Sequence, residues 1–129
     1  MAAKVKRSKV TADLKKNRLV ILLVGTIRKA DLESIYTDIR FCVRDLQPGF
    51  DVITDMRESK IGYLSGAMTF LKIQEFLQSS KVGRIVRVTG PSRIFLQQIQ
   101  RVTQSKNGYK PVYVDTLEEA ERFLHKDEG

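Results

Sequence analysis

Asp55, Ser65 and Arg93 are the side chains whose types and positions could do chemistry. Asp55 follows the apolar residues Val52 and Ile53, at the end of an expected strand. An acid there projects into the crevice that open α/β sheets use for ligands. It could serve as a metal ligand, as a general base, or as a support that braces its loop. A magnesium site needs several oxygens in near-octahedral array, and sequence gives Asp51 and Glu58 no fixed relation to Asp55, so no metal is expected. Further on, Ser65 and Gly66 fall in the first turn of a helix expected to begin near Leu64. Unpaired backbone N–H groups in a first turn favour an anion or a phosphorylated side chain. A phosphate on Ser65 would add roughly −1.5 to −2 charges to that surface. Unmodified, Ser65 is an ordinary polar first-turn residue. Gly66 would let a partner approach closely, with Tyr63 and Leu64 beside it as contact groups.

Two other strand-to-helix junctions accompany this one. Thr89-Gly90-Pro91-Ser92-Arg93 could hold an anion through helix-start N–H groups, the Ser92 hydroxyl and the Arg93 guanidinium. It has one glycine and no lysine at the phosphate-loop position, so ordinary capping is the competing reading. Gly25 to Lys29 is the third junction, and Arg28 either joins the same surface or lies on a solvated basic face. The sole histidine, His125, sits near the chain end, which leaves no Ser-His-Asp or Cys-His set in the body of the domain. The sole cysteine, Cys42, excludes an intrachain disulfide and reads as a buried, inert thiol on a helix. No cofactor is expected.

The elements that must position these residues follow from periodicity. Residues 9–14 form a short strand, and Lys15-Lys16-Asn17 turn it into a stronger one beginning at Arg18. Leu19 to Val24 is an unbroken apolar run, which predicts cover on both faces, with Gly25 and Thr26 ending the strand. Leu32, Ile35, Tyr36, Ile39, Cys42 or Val43, and Leu46 recur at helical steps until Pro48-Gly49. Phe50 to Met56 is the next strand. Leu64, Ala67, Met68, Phe70, Leu71 and Phe76 make a helix, and Arg84 to Val88 a strand with Arg84 near an edge and Arg87 facing outward. A further helical stripe (Ile94, Phe95, Ile99, Val102) precedes the strand Pro111 to Val114. Thr116 and Glu119 are spaced as a capping box for a closing helix. The fold class is therefore α/β: a single-domain, mixed, mostly parallel sheet of four or five strands with crossover helices. The expected organisation is a basic arm at 1–8, the domain at 9–125 and a tail at 126–129.

With 129 residues, 42% hydrophobic and 29% charged, the chain suits one soluble domain. Six of its eight net positive charges fall in residues 1–18, ahead of a nearly neutral remainder. A nucleic-acid protein spreads positive charge over a docking face, and no aromatic platform accompanies these residues, so no stable nucleic acid partner is expected. Contact of the basic arm with nucleic acid or an anionic membrane is kept as an alternative. The start has no long apolar stretch, Leu19 to Val24 is too short to span a bilayer, and a cytoplasmic location is expected.

The central segment resembles the STAS domain, the sulphate-transporter and anti-sigma-factor-antagonist module with the SpoIIAA-like fold. The resemblance rests on Asp55-Met56 at a strand end and on the distance from there to Ser65-Gly66. Gly25, Val88-Thr89-Gly90 and Leu117-Glu118-Glu119-Ala120 add to it, over roughly residues 10–125. It implies that Ser65 corresponds to the serine phosphorylated in bacterial antagonists. Tyr63 replaces the family's loop acid and Leu64 its first serine, which weakens the phosphoswitch more than the fold. What it implies is a non-catalytic, protein-binding regulatory module. The candidate phospho-acceptor is Ser65, and partner contacts come from Tyr63, Leu64, Gly66, Gly25, Arg28 and Gly90. The partner would be a kinase or regulator, or a second copy in a homodimer. The enzyme alternative is a phosphate- or nucleotide-binding catalyst using the same three junctions.

Overall fold

The computed structural model describes residues 7–61, 67–90 and 111–125. Along the chain it has β1 (Lys9–Asp13), β2 (Arg18–Ile27), α1 (Lys29–Val43), β3 (Asp51–Ile61), α2 (Ala67–Ser79), β4 (Ile85–Val88), β5 (Val112–Val114) and α3 (Leu117–His125). The five strands lie side by side in sequence order. β1 pairs antiparallel with β2, and every later pairing is parallel. The turn between β1 and β2 uses Asn17 at φ 51°, a conformation that asparagine tolerates better than most residues. The Asn17 side chain also bonds the Gln47 backbone in both directions, at 2.8 and 3.2 Å, so this turn is tied to the one after α1.

Because the parallel strands follow one another in order, each crossover steps the same way along the sheet. Right-handed connections then put their helices on one face. α1 and α2 do share a core there, with Leu19, Ile21 and Leu23 of β2 packed among Leu32, Ile35, Ile39, Ile73 and Leu77. α3 follows the edge strand and returns over the opposite face, where Ala120 and Leu124 bury Ile53, Val86 and Val88. Thr116 caps it as expected: its hydroxyl accepts the Glu119 N–H at 3.1 Å. On β2 the opposite face is only half-buried, at Val20, Leu22 and Val24, so the cover expected on both sides is full on one. Among the described residues no helix is long and apolar enough to cross a membrane.

Several local expectations are corrected. Gly25 does not end its strand: β2 continues to Ile27, with Gly25 at φ +78° inside it and opposite Ser59. β3 likewise runs past Met56 to Ile61, because Glu58 to Ile61 pair with Val24 to Ile27 beyond a bulge opposite Leu23. Arg87 does not face outward. β4 is an internal strand, and Arg87 is buried with its Nη1 donating to the Tyr113 hydroxyl at 2.8 Å on the neighbouring strand. Arg84 precedes that internal strand and bonds Asp51, so it is not at a sheet edge. On α2 the buried residues are Thr69, Ile73, Gln74 and Leu77, whereas Met68 is 66% exposed.

Cys42 is half-buried on α1 and donates from Sγ to the Val10 carbonyl at 3.8 Å. Burial, and then the carboxylates of Asp38 and Asp45, push its pKa up. Since the thiolate is the reactive form, iodoacetamide should alkylate Cys42 at pH 8 at least about fivefold more slowly than an unstructured peptide thiol. A rate equal to the peptide's, followed by mass spectrometry under native conditions, would contradict that environment.

Candidate functional site

The parallel strands hand the chain to helix starts at one pole of the sheet, and the candidate residues were expected there. Ile61 closes β3 and α2 is described from Ala67. Tyr63, Leu64, Ser65 and Gly66 lie outside the described residues, as do Ser92 and Arg93.

Asp55 is buried in β3, between Leu22 of β2 and Val88 of β4 in register. It does not terminate its strand, as the length of β3 shows. Its Oδ1 accepts from the Arg57 backbone N–H at 3.2 Å and from Arg57 Nε at 3.0 Å, and its Oδ2 accepts from Arg57 Nη2 at 2.9 Å. A fork of this kind on one carboxylate is the geometry that guanidinium best supplies. The hydrogen-bonded carboxylate pushes the Arg57 pKa above its already high ordinary value. Asp55 thus spans the bulge and holds the backbone that carries β3 onward. Ser59 closes the same irregularity by donating to the Met56 carbonyl at 2.9 Å.

Gly90 is buried beyond β4, and Thr89 before it donates its backbone N–H to the Val114 carbonyl at 3.0 Å. Gly90 has φ +72°, and a side chain there would meet the Arg57 Cγ at 3.6 Å. Asp55, Arg57 and Gly90 are therefore brought together as one cluster. Gly25 lies on the other side of β3, paired with Ser59, in a strand and not in the loop expected. Arg28 is exposed and caps α1, where its backbone N–H donates to Asp31 Oδ2 at 2.9 Å. Its guanidinium has no acceptor with which to complete a capping box. His125 closes α3 and is exposed. Among the described residues, no three His, Cys, Asp or Glu side chains converge as a metal site would require.

Sequence reasoning missed a second charged cluster, at the opposite pole. Arg18 at the start of β2 is buried and donates from Nη1 to both carboxylate oxygens of Glu121 on α3, at 2.9 Å each. Next to it in register, Asp51 bonds Arg84, whose Nη2 also donates to the Leu124 carbonyl at 3.0 Å. Arg84 thereby satisfies the carboxyl end of α3, where carbonyls lack helical partners. These charges fasten α3 to the sheet. Arg18, counted above with the basic lead-in, is a structural ion and not a free surface charge.

No protein-family model and no curated protein matches the chain. Among the solved structures similar to it, two match over nearly their whole length. One is the anti-sigma factor antagonist SpoIIAA in its unphosphorylated form, with TM-score 0.63, 16% identity, 93% of this chain and 98% of that chain covered. The other is the Bacillus cell fate determinant SpoIIAA in its phosphorylated form, with TM-score 0.61, 17% identity, 91% of this chain and 98% of that chain covered. The mixed five-stranded sheet, its crossovers and its closing helix are thus those of the SpoIIAA-like, STAS-type fold.

Proposed function

We propose that the chain is a non-catalytic, protein-binding regulatory module whose working surface is the pole where β3 leads into α2, with Ser65 as its phospho-acceptor. The observation that carries this reading is the likeness in fold to SpoIIAA, an anti-sigma factor antagonist solved in both phosphorylated and unphosphorylated forms. Supporting it, the carboxylate of Asp55, the most enclosed acid of that pole, is engaged by Arg57 through three hydrogen bonds. In this reading Asp55 supports the loop, Tyr63 and Leu64 supply contact area, and a kinase acts on the protein. A phosphate at a helix start is favoured by backbone N–H groups and would change the docking surface by about two negative charges.

The reading is tested by quantitative affinity capture from lysate of the source cells with the wild type and Ser65→Asp. A partner retained by one form and lost by at least about tenfold from the other is the expected result. Equal capture by both forms would remove the switch and leave a binding module. Capture by neither would remove both.

A further inference from the structure

We propose that the protein has a second docking surface, at the pole where the parallel strands begin, that takes an apolar segment of a partner protein flanked by carboxylates. The last turn of α1, the turn leading to β3 and the carboxyl end of α2 enclose a groove of about 580 Å³. Phe41, Leu46, Pro48 and Phe76 give it apolar walls, and Arg40 and Arg44 line it as well. No carboxylate lines it. Phe41 stands 62% exposed beside it, an unusual position for a phenylalanine on a helix whose opposite face already fills the core.

The charges choose the occupant. Arg40 lies over the Tyr36 ring at 5.0 Å, and among the described residues neither Arg40 nor Arg44 forms an ion pair. Two guanidiniums beside an apolar trough complement a segment with apolar anchors and acidic neighbours, as in helix-in-groove recognition. A small-molecule site would need a few convergent polar groups within an enclosing pocket, and the lining residues with polar side chains here are Arg40, Arg44 and Ser80. This surface is independent of the Ser65 reading, since its residues belong to the strand-start pole.

The test titrates the full chain with a synthetic helical peptide carrying leucine and phenylalanine at three- and four-residue steps among glutamates. A second peptide has lysine in place of each glutamate. Binding is followed by amide shifts in NMR, with Phe41→Glu and Arg44→Glu as variants; both sites are exposed, and thermal melts check that the fold is kept. The acidic peptide should shift amides around Phe41, Arg44 and Phe76, each variant should weaken it at least about tenfold, and Arg44→Glu should improve the lysine peptide. Ser65→Asp should leave this binding unchanged. Equal affinity for the two peptides, shifts centred elsewhere, or no binding at millimolar peptide would overturn the proposal. So would a dimer in sedimentation that Phe41→Glu dissociates, which would assign the groove to a second copy.

Discussion

Glu121→Ala should destabilise the protein by about 2–3 kcal/mol, while Arg18→Met at the other end of the same ion pair should cost no more than about 1 kcal/mol. The asymmetry follows from burial. The Arg18 side chain is 4% exposed and that of Glu121 is 49% exposed. Removing the carboxylate strands a buried cation whose Nε already lacks a partner. Removing the guanidinium leaves a carboxylate that water can solvate, and methionine keeps much of the apolar stem in place. The Lys16 contact with Glu121, at 3.7 Å between exposed side chains, contributes little to either figure. Urea midpoints of the wild type, both single variants and the double variant would check this. The double variant should be more stable than Glu121→Ala alone. A double variant less stable than either single, or equal losses from the two singles, would contradict the account.

Whether an element was legible in the sequence depended on how local its cause is. The run Leu19 to Val24 announces an inner strand because apolar groups occupy both faces. Thr116 and Glu119 announce a helix start because the cap closes within one turn. The far half of β3 is not legible because Arg57, Glu58 and Lys60 look like a link. Its extension pairs with β2 but passes the end of β4, whose last partner on it is Asp55, so polar side chains are tolerated there. The Asp55–Arg57 fork spaces its charges two residues apart, a strand-like signal that was visible once the segment is taken as strand. The burial of Arg87 is not legible because its partner, Tyr113, sits on the neighbouring strand, 26 positions away. On α2 the apolar residues are dense enough to suit several phases, and the buried stripe includes Thr69, which an apolar count passes over. The charges that fasten α3 were invisible for a simpler reason: Arg18 meets Glu121 from 103 positions away, and Asp51 meets Arg84 from 33. Only the sheet brings them together.

That dependence gives Asp51 a double role, holding the start of β4 and, through Arg84, the end of α3. Its Oδ1 accepts the Arg84 backbone N–H at 2.9 Å, and its Oδ2 accepts Arg84 Nη2 at 3.0 Å. The chain is tight here: Gly83 donates to the Phe50 carbonyl at 2.6 Å, and a side chain on Gly83 would run into the Gly49 carbonyl oxygen. Asp51→Ala orphans a backbone donor at the start of β4 and frees the guanidinium that holds the last carbonyls of α3. The expected loss is about 3–4 kcal/mol, short of the upper end for a fully buried pair because the Arg84 side chain is 28% exposed. Asp51→Asn keeps an acceptor for the Arg84 N–H and should lose only about 1–2 kcal/mol. Hydrogen exchange separates this from general loosening: amides of α3 should lose protection before those of α1 and α2, because only α3 is anchored through Arg84. Uniform loss across all three helices, or an asparagine variant as unstable as the alanine one, would show that Asp51 acts through its charge in the sheet and not as the link from β3 through Arg84 to α3.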